Sequence, residues 1–324
     1  MKPYKFRPYF KSTLWGGQKI APYKGIETTL PNIGESWEIS GMPGLESVTT
    51  DRGVPNDPDL GLTLPQLIAR HGAALVGQSV YEQFGTKFPL LIKFINSSQD
   101  LSLQVHPNDQ LAQERHQCLG KTEMWYIIES EPGAQIYAGL QKSLTPEEYV
   151  RLSALSSANG TTPFMEWVAS SESHAGDFFY LPAGCLHAIG AGNLLAEIQQ
   201  ASDITYRVYD FDRRDADGNL RELHTEQAKD AINYDSSLCC RQEYDRTKDH
   251  VELIRCPHFR VHRVVVEDEA QVDVPCDSFV VVLCLRGQAE VNGVGVRQGE
   301  CLLVPACSNS LHIIGKGIFL TATV

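Results

Sequence analysis

The sequence predicts a mainly β protein of two barrel-like units, with a few helices inserted into the first. Three observations predict this. Short strand-like pieces recur along the chain, separated by Gly and Pro turns, which is the pattern of a sandwich or barrel. The strings Gly176-Asp-Phe-Phe-Tyr-Leu-Pro182 and Gly299-Glu-Cys-Leu-Leu-Val-Pro305 share the spacing Gly, five residues, Pro, as two copies of one β-fold would. Helix signals are confined to the first part of the chain, so the units are expected over residues 1–240 and 241–324.

The elements follow in order. Ser36-Trp-Glu-Ile-Ser40 is the clearest early strand. Thr63 can cap a helical stretch over residues 63–84, in which Leu64, Leu67, Ile68, Leu75 and Val76 recur at near-helical spacing and Pro65 fits the first turn. Phe88 to Ile95, Leu101 to His106, Glu123 to Ile128 and Phe178 to Leu181 read as strands. Further helices are expected near 109–118, at 145–157 behind Thr145-Pro146-Glu147-Glu148, and at 225–232. The polar stretch from Asp235 to Asp249 reads as a linker. Beyond it, the alternation from Phe259, the apolar run Ser278 to Arg286, and Gly287, Gly293, Gly295 and Gly299 predict a compact all-β unit.

Composition narrows the function. A chain of 324 residues with 42% hydrophobic and 21% charged residues has ample core, which excludes disorder, collagen and coiled coil. Lys and Arg number 28 against 40 Asp and Glu, so the net charge of −12 argues against coating nucleic acid or an anionic membrane. Any anionic ligand must be held by local positive charge. The opening MKPYKFRPYFKSTLWGG has no apolar stretch behind its basic residues, and the longest apolar run, Phe279 to Leu285, is too short to span a bilayer. A cytoplasmic protein is expected, monomeric or homodimeric. The nine cysteines, 118, 185, 239, 240, 256, 276, 284, 301 and 307, contain no C-x-x-C pair and are expected to be mostly reduced core residues.

Four side chains carry the chemistry. Side chains alternate along a strand, so Ser102, Gln104 and His106 share one face, and Lys121 and Glu123 share another. The first Gly…Pro string continues as Pro182-Ala-Gly184-Cys-Leu-His187, giving G-x5-P-x-G-x2-H, which resembles the second motif of the cupins, a jelly-roll barrel family. Two imidazoles, a carboxylate and a neutral amide, from His106, His187, Glu123 and Gln104, can converge on one divalent ion; two His and one Glu are a common catalytic zinc set. A single His on a strand is more often a hydrogen-bonded structural residue, and it is the agreement of four ligand types that reverses this. Glu197, Asp203 and Arg207 fall in one parity class and, if extended, line one face. By itself this is equally a solvated Asp/Arg face.

Taken over nearly its full length, the chain resembles the type I phosphomannose isomerases in their compact bacterial form. The resemblance rests on Leu14-Trp-Gly-Gly17, Gly34-Glu-Ser-Trp-Glu-Ile-Ser40, Phe88-Pro-Leu-Leu-Ile-Lys-Phe94, LSLQVHPND, Lys121-Thr-Glu-Met-Trp125, the string ending at His187, and SDITYRVYDFDR from Ser202 to Arg213. It implies two cupin-type jelly-roll barrels and one Zn2+ held by Gln104, His106, Glu123 and His187. It also implies interconversion of mannose 6-phosphate and fructose 6-phosphate, with Arg207 catalytic. Lys121, Glu197 and Asp203 fall in the active site by the same resemblance, and Lys93 and Ser102 lie toward the sugar-phosphate end. Trp15 and Trp37 are candidate pocket walls.

In the second unit Pro305 is followed by Ala-Cys-Ser-Asn-Ser-Leu-His312, which departs from the metal pattern, so that unit is expected to be metal-free. The reaction needs the C2 proton moved to C1 through a cis-enediol(ate), and Glu197, Asp203, Lys121 and a water on the metal all stand as the group that carries it. Two other readings share these residues. An iron-dependent cupin dioxygenase is disfavoured by Gln104, and a non-catalytic sugar-phosphate-binding cupin is disfavoured by Arg207 and the complete ligand set.

Overall fold

A computed structural model of the chain describes residues 1–159, 163–214, 217–238, 240–274, 277–308 and 310–324. The chain is mainly β and forms three antiparallel sheets. The seven-stranded sheet runs Arg241–Gln242, Phe178–Leu181, Glu123–Ser130, Asn193–Gln200, Leu90–Asn96, Ile33–Ser40, Tyr9–Gly17. The five-stranded sheet runs Tyr206–Tyr209, Leu103–Val105, His187–Ile189, Gln135–Leu140, Val168–Glu172. The nine-stranded sheet holds the strands from His250–Arg255 to Ser310–Thr323, together with Tyr4–Arg7 and Val48–Thr49.

The seven-stranded sheet is buried on both faces, which is why its strands read as nearly unbroken apolar runs. On one face Trp125, Ile127, Phe179, Leu181 and Leu195 pack with Leu101, Ile136 and Ile189 from the side of the five-stranded sheet. On the other, Leu90, Ile92, Phe94, Met124 and Ile198 pack against Val261, Val281, Leu283, Leu303 and Leu320 of the nine-stranded sheet. Burying each such side chain contributes about 1.5–3 kcal/mol, so the two cores fix the sheet between them. The first core encloses the candidate site.

Local chemistry decides where the elements differ from the sequence reading. The helical stretch at 63–84 is three short helices, Leu64–His71, Ala73–Val76 and Gln78–Phe84. Gly72 (φ 51°) and Gly77 (φ 99°) break it at backbone angles helices do not allow. Its start is as expected, a reciprocal Thr63–Gln66 capping box. The third helix is capped from the far end of the chain, with Asp277 accepting from the Gln78 and Ser79 amides at 2.5 and 3.0 Å. The other helices are Asp109–His116, Pro146–Asn159 and Thr225–Ala231.

The stretch 235–249 is not simply a linker: its Arg241–Gln242 pairs with Phe178–Leu181 and adds an edge to the seven-stranded sheet. Tyr4–Arg7 pairs with Cys301–Val304, a join between chain ends that sequence periodicity does not reveal. Both glycines of the repeated string, Gly176 and Gly299, take positive φ (87° and 78°) two residues before a strand begins, so the echo is conformational as well as sequential. Seven described cysteines are free: 185, 240, 284 and 301 are buried, 118 and 256 half-buried and 307 exposed, while Cys239 and Cys276 lie outside the described residues. Among the described residues, no helix is long and apolar enough to cross a membrane.

Candidate metal centre and pocket

Strand register builds the site. Across the five-stranded sheet, Gln104 is paired with Arg207 on one side and His187 on the other. Directly opposed residues project to the same face, so Arg207, Gln104 and His187 form a row. Across the seven-stranded sheet, Trp37 is paired with Lys93, Lys93 with Glu197, and Glu197 with Trp125. Glu123 lies two residues before Trp125, so it shares this face. The two rows meet at a polar pocket of about 330 Å³, lined among others by Trp15, Lys93, Ser102, Gln104, Lys121, Glu197, Asp203, Arg207 and Arg221.

At its inner end the candidate ligands converge. The ligand atoms of His106, Glu123 and His187 lie within 4.8 Å of one another, and all three residues are buried. His187 Nε2 is 3.1 Å from His106 Nε2, 3.2 Å from Glu123 Oε1 and 3.3 Å from the amide nitrogen of Gln104. His106 Nδ1 donates to the Ile204 carbonyl at 2.8 Å, and His187 Nδ1 to the Cys185 carbonyl at 2.9 Å. Each ring is thereby fixed with its proton on Nδ1, so two Nε2 lone pairs face each other. Burial, reinforced by Lys121, holds both imidazoles neutral, with His106 pushed well below its ordinary pKa and His187 down to about 3. Burial also pushes the Glu123 carboxyl up to about 7, partly countered by Lys121.

These residues fit a divalent cation. Neither buried oxygen of Glu123 has a hydrogen bond of good geometry, and two lone pairs 3.1 Å apart repel unless positive charge lies between or beside them. The nearest positive group is Lys121, whose Nζ is 3.0 Å from His106 Nε2 and 2.9 Å from Glu123 Oε2. Two neutral imidazoles, a carboxylate and an amide oxygen suit a first-row divalent ion, and the Nδ1 bonds to carbonyls are the usual orienting contacts of metal-binding histidines.

Beyond the ligands, Lys93 Nζ is 3.0 Å from Glu197 Oε2 and 3.4 Å from Glu35 Oε2, and its side chain is only 5% exposed. Burial alone would lower the Lys93 pKa, but the two carboxylates outweigh it and raise it. Burial would raise the Glu197 carboxyl, yet Lys93 and Lys121 hold it below its ordinary value, and Trp125 Nε1 donates to it at 2.9 Å. Asp203 is half exposed at the pocket edge, 3.9 Å from Lys11. Arg207 donates from a guanidinium NH2 group to the Glu222 carbonyl at 2.8 Å, and its backbone amide donates to His224 Nδ1 at 3.0 Å.

Two expectations need correction. Glu197, Asp203 and Arg207 do not lie on one extended face: the strand ends at Gln200, and Arg207 belongs to the opposite sheet, on Tyr206–Tyr209. A turn, in which the Ser202 amide donates to the Gln200 carbonyl and Gln199 Nε2 to the Ser202 carbonyl, carries the chain across. Trp37 does not wall the pocket. It is fully buried behind Lys93, whose Nζ lies 5.0 Å from its ring centroid. Glu35, Trp125 and Arg221 line the pocket without having been singled out. Glu35 carried a signal, since it alternates with Trp37 and accepts from its indole at 2.6 Å. Arg221 carried none, because it is held by Asp210 across a loop.

The fold and the site together define a β-sheet protein with a candidate divalent-cation centre at the floor of a pocket of paired charges. The catalytic-domain model of phosphomannose isomerase type I matches residues 4–131. Mannose-6-phosphate isomerase ManA of Bacillus subtilis is 34% identical over 315 residues, covering 94% of this chain and 93% of that protein. The mannose-6-phosphate isomerase of Streptococcus mutans is 33% identical over 312 residues, covering 93% and 92%. The crystal structure of the mannose 6-phosphate isomerase from Bacillus subtilis superposes with a TM-score of 0.84 at 29% identity over 100% of both chains. The chain belongs to the type I phosphomannose isomerase family.

Proposed function

We propose that this chain interconverts mannose 6-phosphate and fructose 6-phosphate through a cis-enediol(ate), with one zinc ion held by Gln104, His106, Glu123 and His187. The observation that carries the proposal is the convergence of these four groups at the floor of a pocket whose walls hold both a buried carboxylate and a guanidinium. A bound divalent ion would supply a Lewis acid beside the reacting carbonyl.

The remaining roles belong to the chain itself. Glu197 is buried, ionised and on the pocket wall, so it is placed to take the C2 proton and return it to C1. Its depressed pKa makes it a weak base, and the reaction compensates by developing charge where Arg207 can meet it. Arg207 does not deprotonate at working pH and presents fixed donors to the enediolate oxygen. Lys121, beside the ligands, can donate to the oxygen that gains the proton. Asp203 at the mouth orients the sugar hydroxyls, Trp15 walls the pocket, and Ser102 with Arg221 receives the phosphate.

Lys93 has a different task from phosphate binding, because two carboxylates already surround it. It holds Glu197 ionised and in place. Lys93→Met is therefore expected to lower kcat by about 10²-fold, the scale of a misplaced catalytic group, with KM for mannose 6-phosphate little changed. A large rise in KM with kcat preserved would instead make Lys93 a phosphate ligand.

The decisive experiment is metal analysis of the purified chain, followed by exchange of the C2 proton of mannose 6-phosphate with solvent, with and without chelator. Exchange is expected, stopped by chelator and restored by Zn2+. Exchange that is absent, or indifferent to chelator, removes the proposal.

A further inference from the structure

A second pocket, larger than the first, lies where the seven-stranded sheet meets the nine-stranded one. It measures about 490 Å³. Its walls come from both sheets: Tyr126, Ile127 and Ile128 from Glu123–Ser130, Leu285 and Arg286 from Val280–Val291, and Arg263 and Ile318 from neighbouring strands. Tyr126 points to the side opposite Trp125, because the two are consecutive on one strand, so this pocket is separated from the candidate metal centre by the thickness of the sheet.

Its charge is what sets it apart. In a chain of net charge −12, three guanidinium groups, Arg246, Arg263 and Arg286, line this cavity against a single carboxylate, Glu129. Arg246 is committed to the buried Asp177 and leans over the Tyr244 ring. Arg263 gives one NH2 group to the Lys248 carbonyl at 3.2 Å, while its buried Nε has no partner. Arg286 is exposed and has neither an ion pair nor a side-chain hydrogen bond among the described residues. A buried donor without an acceptor is costly, because it has given up its hydrogen bond to water and found no other. The natural occupant is therefore one that brings oxyanion acceptors. Much of the rest of the wall, Ile128, Leu285, Ile318, Tyr23, Tyr126 and Tyr244, is apolar or aromatic, with Gln298 beside it, and suits a carbon skeleton rather than a bare ion.

The geometry points to a second ligand site on this chain, outside the metal-centred pocket, for a small organic phosphate monoester. Its dianion would meet the two guanidinium groups not committed to a buried carboxylate, Arg263 and Arg286, and its organic part would lie on the isoleucine, leucine and tyrosine wall. The cavity exceeds in volume the pocket that must take a hexose phosphate, so size does not restrict it to inorganic phosphate.

The test uses phenyl phosphate, which has an apolar body and cannot isomerise, titrated calorimetrically into the full metal-loaded chain. The Arg221→Ala chain, which lacks the guanidinium assigned to the phosphate in the metal-centred pocket, is expected to bind one phenyl phosphate, and adding Arg286→Glu to weaken that binding at least tenfold. Arg286→Glu alone is expected to leave kcat and KM for mannose 6-phosphate unchanged, which also reports that the chain is folded. Inorganic phosphate is expected to bind at least tenfold more weakly than phenyl phosphate. Binding abolished by Arg221→Ala alone, or unaffected by adding Arg286→Glu, overturns the site. Equal affinity for inorganic phosphate overturns its assignment to an ester.

Discussion

His187→Ala yields a chain that purifies without bound divalent metal and turns over mannose 6-phosphate about a thousandfold more slowly or worse. The reason lies in how few alternatives the site offers. His187 Nε2 lies within 3.1–3.3 Å of His106 Nε2, Glu123 Oε1 and the amide nitrogen of Gln104. Alanine leaves a buried carboxylate and one imidazole facing a gap, a poor chelate for any first-row ion. Losing Lewis-acid assistance removes several kcal/mol of transition-state stabilisation, and each 1.4 kcal/mol or so is a factor of ten in rate. Metal analysis and steady-state turnover are the measurements, with a melting curve to show that the chain still folds. A variant that retains one equivalent of metal and normal turnover would remove His187 from the ligand set.

Arg207→Ala separates binding of metal from catalysis. The variant is expected to keep its metal and lose about 10²–10³-fold in kcat, the usual effect of removing one oxyanion donor. Metal retention is expected from structure: what Arg207 shares with the proposed ligand Gln104 is backbone pairing, which alanine preserves. Arg207→Lys should recover little of the loss, because an ammonium lacks the planar fork that can hold the Glu222 carbonyl and still face the pocket. Equal loss of metal and turnover would make Arg207 structural, and full activity would remove it from the mechanism.

Much of this site was legible before any coordinates. Strand alternation put Gln104 with His106 and Lys121 with Glu123, and the structure has all four side chains at the site. The string ending at His187 carries its own geometry, since Gly184 sits at φ 89° where an added Cβ would come within 2.9 Å of the Ala231 carbonyl. Other features were legible only in kind. Helical spacing at 63–84 was real, but two glycines at positive φ divided it. Glu197 and Arg207 shared parity and did meet at one pocket, though from opposite sheets, because a turn after Gln200 replaced the strand that parity assumed.

What the sequence determined by itself is the inventory: a mainly β chain, candidate ligands of the right types on or beside strands, and the side of the strand to which each points. Those properties depend on neighbours within a few residues, where steric alternation and turn chemistry act. The tertiary structure alone decided the two facing rows, Arg207–Gln104–His187 and Lys93–Glu197–Trp125, and with them the ion pairs of Lys93 with Glu197 and Glu35. Register between strands is set by how whole sheets bury their apolar faces, an energy summed over residues far apart in the chain, so no local pattern can state it.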